Sequence, residues 1–509
     1  MNIIVLEHPR LPSVNRFNDI ANTPLWSCLM GGYAASSLTA AGFDTQFIDA
    51  AIPGTTFEGL LNQLRKVKMD LLCINAVYFW EHTHRLFEFI EQVKAEKKGI
   101  HINLFGFFPS LVYLDILTHC PGVDSIAVGE FEHTLVELAT GASSGNSLDI
   151  IQGLALKSNL GSQKNMARKP SKDLDEFAFP MRSSLGGSVT ILASRGCYNH
   201  CSFCPVPSFY NQGPLWRGRT PENIAREMAQ LVDQGAREFY FVDPNFIGPG
   251  KAGKKRLLDL MALIQPLNIR FGMETRPGDL DEEILESLMA SGFNGLLMGV
   301  ESGSSKVLGS MNKSTGPKTA HTAITLCRQY GIEPEIGFLM FVPDSSLADL
   351  RENMDFLMEN SLLDRLARTA NLLCHCQIVL AGTSAYQVFK RQKRLETCGV
   401  FGFEGRVRFR DPRVEWMAEL MVYTCHNVLR SMSSDSSPIF WKNRPDSVIS
   451  MTNDFLVTTF FSLLSQVEKH GVTEDTKEIR DRINRQLTEI LSPEPISDED
   501  LSVATSGSC

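Results

Sequence analysis

Residues 189–205 read VTILASRGCYNHCSFCP, an apolar β-branched run that passes directly into a loop holding three cysteines. Val189, Thr190 and Ile191 favour an extended strand, while Gly196 and Pro205 bracket a loop. The thiols of Cys197, Cys201 and Cys204 stand four and then three positions apart. Three thiolates so spaced can hold three corners of an iron-sulfur cubane and leave the fourth iron open. A structural zinc asks for a fourth close ligand; His200 lies inside the loop and keeps a Cys3His zinc site as the alternative. The chain's twelve cysteines are otherwise scattered, apart from the close pair Cys374 and Cys376, so they do not form a disulfide scaffold.

Downstream of this loop, apolar strands and amphipathic helices alternate. Strands are predicted at Val189–Ala193, Glu238–Val242, Ile269–Glu274, Gly295–Val300, Glu335–Phe341 and Cys374–Leu380. Helices fall at Pro221–Gln234, Leu280–Ser291, Pro317–Tyr330 and Leu347–Glu359, a pattern of a partial (βα)6 barrel with chemistry at the strand C-terminal ends. Upstream, continuous apolar runs at Ile3–Leu6, Thr45–Ile48, Leu71–Val77, Ile102–Phe105 and Asp124–Val128 predict a parallel sheet covered on both faces, a doubly wound Rossmann-like α/β domain. Its helices are placed at Leu25–Ala41, Thr56–Val67, His82–Ala95 and Ser110–His119. No dinucleotide glycine fingerprint follows the first strand, which continues as Glu7-His8-Pro9-Arg10, so a nicotinamide reading is weak. The expected division is 1–140, the Rossmann-like domain; 141–188, a linker with one hairpin near Gly153–Ser158; 189–390, the barrel; 391–496, a helical C-terminal domain; and 497–509, a disordered tail.

At 509 residues the chain exceeds the roughly 250–300 at which single cores stop growing, so several domains are expected. Fifty-eight acids against 49 bases give a net charge of −9, which does not favour nucleic acid as a partner. There is no basic leader before the first strand, and apolar stretches such as Leu71 to Trp80 fall short of the ~18 residues of a membrane span. The expected location is cytoplasmic, with no membrane span.

The cysteine spacing directly after a strand, with Arg195-Gly196 before it and Phe203 before the last thiol, resembles the radical SAM superfamily over about Val189 to Gly382. The resemblance implies a 4Fe-4S cluster on Cys197, Cys201 and Cys204 whose open iron chelates S-adenosylmethionine (SAM), cleaved to methionine and a 5′-deoxyadenosyl radical. It places SAM contacts at Phe203, at Asp243 and Asn245 after the second barrel strand, at Glu274 and Arg276 after the third, and at Gly299 and Glu301 after the fourth. The family's Gly-Gly-Glu is absent at the second strand, where Phe241-Val242-Asp243-Pro244-Asn245 stands instead.

A doubly wound domain ahead of such a barrel is similar to the cobalamin-binding subgroup, here on Gly31-Gly32-Tyr33, Gly42-Phe43 with Ile48-Asp49, Gly129-Glu130-Phe131-Glu132-His133-Thr134-Leu135, and Asp173-Leu174-Asp175 with Phe179-Pro180. The corrin is expected over strand ends, at Asn75, Tyr78, Gly106, Phe107, Pro109, Gly129 and Glu130. No Asp-x-His-x-x-Gly signature is present; His8 is read as a loop or surface histidine rather than a cobalt ligand.

The implied activity is that of a cobalamin-dependent radical SAM C-methyltransferase, methylating an unactivated carbon of a small-molecule substrate through the deoxyadenosyl radical and methylcobalamin, with an electron donor such as flavodoxin or ferredoxin. Two alternatives stay open: a cobalamin-binding radical SAM cyclase, ring-contracting or rearranging enzyme, and a non-catalytic corrinoid or metal-binding protein.

Overall fold

The computed structural model describes residues 1–11, 28–158, 161–210, 215–433, 446–472 and 475–491. Leu25, Trp26 and Ser27 of the first expected helix, and the whole expected tail, lie outside these residues. The chain divides into two compact units, Met1–Phe338 with Gln377–Arg408, and Leu339–Cys376 with Phe409–Cys509.

In the first unit, β1 (Asn2–Glu7), β2 (Asp44–Asp49), β3 (Leu71–Asn75), β4 (His101–Phe105) and β5 (Ser125–Ala127) form a parallel sheet in the order 2-1-3-4-5. Helices Met30–Ala40, Phe57–Arg65 and His84–Glu96 connect them, and every residue of β3 is buried, as an apolar run covered on both faces must be. The order reverses direction between β1 and β3, so the crevice outside their carboxyl ends is the switch point of the sheet. The expected hairpin within 141–188 exists as β6 (Leu154–Ser158) and β7 (Gly161–Lys164), which extend this sheet antiparallel from β5.

The second sheet starts at β8 (Val189–Ile191) and is followed by a small antiparallel hairpin, β9 (Ser194–Gly196) with β10 (Trp216–Gly218). Strands β11 (Glu238–Phe241), β12 (Arg270–Thr275), β13 (Phe293–Glu301) and β14 (Glu335–Phe338) complete a parallel sheet in the order 14-13-12-11-8. Helix starts are fixed by their own side chains: Thr220 Oγ1 accepts from Asn223 N at 3.2 Å with Pro221 in the first turn, and Asp281 Oδ1 accepts from Ile284 N at 3.0 Å. Phe239, Phe241, Phe271, Met273, Leu296 and Met298 are buried on one face of this sheet. The other face is half-open in β13, where Gly295, Leu297, Gly299 and Glu301 alternate with buried neighbours.

Two expectations are corrected. The sixth barrel strand, Cys374–Leu380, does not join the barrel sheet: Cys374 ends the helix Leu366–Cys374, only a single parallel bridge links Phe341 to Cys376, and Val379–Leu380 pairs in a different sheet. The barrel sheet therefore has five strands. Residues 395–407, placed in the helical region, instead form β16 (Leu395–Cys398) and β17 (Glu404–Val407), which pair antiparallel with each other and with β15 (Val379–Leu380). Gly399 and Gly402, at φ +69° and +65°, make the tight turn between them.

In the second unit the expected C-terminal helices are present as Pro412–Ser433, Asp446–His470 and Thr476–Leu491. Asp446–His470 is long and apolar enough to cross a membrane by length and composition. One face of it, including Leu456, Phe460, Leu463, Leu464 and Val467, is buried within its unit.

Candidate active site

The cysteine loop leaves β8 under the control of a buried acid. Asp243, just past β11, accepts from Ala193 N at 3.1 Å and Ser194 Oγ at 2.5 Å, and burial raises its pKa to about 6. Gly196, at φ +80°, then turns the chain into Cys197; a Cβ there would lie 1.6 Å from the Leu215 carbonyl oxygen. Ser202 N donates to Met311 O at 2.8 Å, Asn312 Nδ2 donates to His200 O at 2.8 Å, and Ala385 N donates to Ser202 O at 2.9 Å, so the loop is held from two sides.

Within the loop, Asn199 Nδ2 donates to Cys201 Sγ at 3.0 Å. Burial raises all three thiols, and Cys204 is raised further by the neighbouring Cys201 and Cys197. The Arg276 and Lys313 cations oppose this at Cys197 and Cys201, the electrostatic help that thiolate ligands need. A cubane, in which each thiolate meets its own iron, suits three thiols spaced four and then three positions apart on one loop. Phe203 is half-buried between Cys201 and Cys204.

The strand ends facing the loop carry the expected polar residues. The Arg276 guanidinium donates to Ser314 Oγ at 2.5 Å and Thr315 Oγ1 at 2.9 Å and lies 4.9 Å from the Tyr198 ring centroid, while its Nε is buried with no partner among the described residues. Glu274 Oε1 and Thr275 Oγ1 are likewise buried and unpaired there. Burial, and then the charge of Asp243, raise Glu274 to about 8. The orphaned atoms of Glu274 and Arg276, two positions apart, are costly unless a polar ligand answers them; Thr275 lies on the opposite, covered face beside Met298. Glu301 sits at φ +72°, a strained conformation for its type, and its Oε1 accepts from Lys313 Nζ at 2.9 Å. Beside it, a Cβ on Gly299 would come within 2.7 Å of that same oxygen. Asn245 is turned to the protein instead: Nδ2 donates to Asp279 Oδ2 at 2.7 Å and Oδ1 accepts from Gly248 N at 2.8 Å.

The residues expected around a corrin are differently placed. Tyr78 donates to Glu404 Oε2 at 3.1 Å, and its ring packs 4.8 Å from Phe403 and 5.3 Å from Phe108. Phe107 is buried against Phe209 and Phe403, at 6.0 and 6.5 Å between ring centroids. Pro109 is buried in the helix Phe107–Leu111, and Asn75 Nδ2 donates to Glu7 Oε1 at 2.8 Å. Glu130 pairs with Arg217 at 2.6 Å and Arg195 at 3.3 Å; the two guanidiniums outweigh burial and hold its carboxyl below the usual range. Gly106 and Gly129 take positive φ at their strand ends, +110° and +80°. Phe403 and Glu404, at the start of β17, cover Tyr78 and Phe107, while Asn75 and Glu130 are bonded to Glu7, Arg195 and Arg217.

His8 is not a surface residue. It is fully buried; Val77 N donates to its Nε2 at 3.0 Å, its Nδ1 lies 2.8 Å from Pro9 O, and burial lowers its pKa to about 3. Both ring nitrogens are occupied: Nε2 ties the end of β1 to the backbone after β3, and Nδ1 meets the adjacent Pro9 carbonyl. Sequence reasoning also missed Glu7, raised to about 7 by burial, and Lys313, which no motif flagged.

Residues 191–357 match the radical SAM superfamily. An uncharacterized methyltransferase of Pyrococcus horikoshii is 25% identical over 373 residues, 70% of this chain and 77% of that protein. The anaerobic magnesium-protoporphyrin IX monomethyl ester cyclase of Cereibacter sphaeroides is 25% identical over 371 residues, 69% of this chain but only 58% of the cyclase, so less than two thirds of that relative is spanned. The solved structure of the cobalamin-dependent S-adenosylmethionine radical enzyme OxsB, with aqua-cobalamin and S-adenosylmethionine bound, superposes with a TM-score of 0.73 at 18% identity, covering 95% of this chain and 75% of that one. Residues 191–357 thus carry a radical SAM superfamily match, and the chain shares its fold with a solved cobalamin-dependent radical enzyme.

Proposed function

We propose that the protein is a cobalamin-dependent radical SAM methyltransferase acting on an unactivated carbon of a small molecule. The observation that carries the radical SAM part is three thiols on one strand-end loop with the Arg276 guanidinium stacked on Tyr198 of that loop, its Nε buried and unpaired among the described residues. This donor set fits a 4Fe-4S cluster on Cys197, Cys201 and Cys204 with SAM beside it. When bound, the cluster supplies the electron that splits SAM into methionine and a 5′-deoxyadenosyl radical.

The chain's own part is binding and orientation. Arg276, stacked on Tyr198, presents its unpaired Nε to the SAM carboxylate, a charge-assisted contact. Glu274 offers its unpaired Oε1 to a polar hydrogen, and Glu301, held by Lys313, accepts from hydroxyls. Asp243 acts one step back, fixing the start of the cysteine loop through Ala193 and Ser194. Phe203 contributes an apolar wall, and Gly299 lets a ligand approach the backbone closely.

The cobalamin part rests on the shared fold. The side chains of Asn75, Tyr78, Phe107 and Glu130 do not fit a corrin as they stand, since each is spent on a protein contact. No step is therefore routed through them. An electron donor such as flavodoxin or ferredoxin and a cytoplasmic setting complete the proposal.

A second reading, cyclisation without methyl transfer, is favoured by the relationship to the cyclase. Product mass separates the two. Methyl transfer adds one CH2 unit and consumes two SAM per turnover, and an unmethylated product would overturn the methyltransferase reading.

A further inference from the structure

A ladder of buried charges links the cysteine loop to the N-terminal sheet. Arg195, two residues before Cys197, pairs through Nη2 with Glu132 Oε1 at 2.5 Å and through Nη1 with Glu130 Oε1 at 3.3 Å. Both acids follow β5, and Arg217 of β10 pairs with Glu130 at 2.6 Å and donates to Ser171 O at 2.5 Å. All four side chains are at most 7% exposed. The Arg195 guanidinium lies between the rings of Tyr33 and Phe177, at 5.1 and 4.7 Å from their centroids.

Stability alone is a poor reason for such a ladder. Desolvating an ion pair costs about what the pair returns, and apolar residues of similar volume would serve the core as well. Buried pairs are better suited to fixing one arrangement and setting a local potential. Here the arrangement fixed is that of β9, the strand that delivers Cys197, against the loop after β5. The ladder is also poised: two arginines face two acids, and Glu132 Oε2 is buried with no partner among the described residues.

We propose that Glu132, acting through Arg195, is a positioning residue that sets the reduction potential of the cluster, so that the N-terminal domain tunes the electron step carried out in the barrel. The proposal rests on the cluster reading above. Reduction adds a negative charge, so the field at the loop decides how readily the cluster accepts it. With Glu132 charged, Arg195 is neutralised by its neighbours. Removing that one negative charge leaves the loop more positive and favours the reduced cluster.

The test is a redox titration of the anaerobically reconstituted full chain, followed by the reduced cluster's electron paramagnetic resonance signal. Glu132→Gln keeps the shape and removes the charge; Glu132→Asp keeps the charge. The expected result is an upward shift of the midpoint in E132Q, read as a several-fold higher reduced-to-oxidised ratio at a fixed potential, with unchanged g values. E132D is expected to titrate like the parent, and Arg195→Lys, which keeps the charge but loses the two-pronged contact, to broaden the signal without that upward shift. An E132Q midpoint equal to the parent's, with the signal intact, overturns the proposal. Equal shifts in E132Q and E132D also overturn it, because they report distortion rather than charge. If the parent shows no cluster signal, it is the cluster reading that fails.

Discussion

The Arg276 guanidinium stacks on the Tyr198 ring at 4.9 Å, joining the residue after the third barrel strand to the residue after the first cysteine. A cationic face is thereby held against the cysteine loop with its Nε unpaired. Arg276→Ala is expected to weaken SAM binding by about 10- to 100-fold, the worth of a charge-assisted hydrogen bond. Arg276→Lys should recover only part of it, because a point charge cannot replace a planar fork. A titration of the cluster's signal with SAM reads both; equal affinity in R276A and parent would remove Arg276 from the SAM site.

Glu274 gives a pH signature. Its pKa is about 8 in the fold against an ordinary 4.5, so the folded chain keeps a proton that the unfolded chain gives up. Its contribution to stability is complete below pH 4.5 and is lost as pH rises through 8. Asp243, raised to about 6, acts with the same sign over a lower window. Glu274→Gln should flatten the upper part of this decline and stabilise the cluster-free protein by about 1–3 kcal/mol at pH 8. Denaturant midpoints at pH 5 and pH 8 measure it, and parallel pH profiles for parent and variant would contradict it.

His8 has the opposite sign. Folded, it resists protonation down to about pH 3, whereas its ordinary value is 6.5. Its contribution is present above pH 6.5 and is lost as pH falls toward 3. His8→Leu strands the Val77 amide and should cost about 1–3 kcal/mol at neutral pH while removing the acid-side loss. The cobalt absorbance of corrin-loaded protein should not change; a spectral shift would make His8 a ligand after all.

Gly196→Ala should destroy the cysteine loop rather than weaken it. Positive φ and a Cβ 1.6 Å from Leu215 O leave no room for a side chain. Loss of cluster absorbance after reconstitution is expected, and normal cluster content would show that the β9–β10 hairpin is dispensable.

Much of this molecule is legible in its residues because local chemistry fixes it. Val189 to Pro205 gives both strand and ligand loop, and the apolar runs of β1, β3 and β4 give a covered parallel sheet. What could not be read depends on partners distant in sequence. His8 reads as a surface residue until Val77 and the rings of Phe57 and Phe79 close over it. Tyr78 and Phe107 suit a ligand slot until Phe403 and Glu404, more than 290 positions away, are seen to pack on them. The sixth strand also turned on distant partners, since Val379 and Leu380 of the expected run pair with Gly405 and Glu404 rather than with the barrel sheet.

The most direct test is anaerobic reconstitution with iron and sulfide, reduction with dithionite, and addition of SAM. The account predicts a 4Fe-4S signal that SAM perturbs, with 5′-deoxyadenosine formed, and loss of both in Cys197→Ala, Cys201→Ala and Cys204→Ala. A zinc-filled site, or an iron centre whose spectrum ignores SAM and yields no 5′-deoxyadenosine, would contradict it.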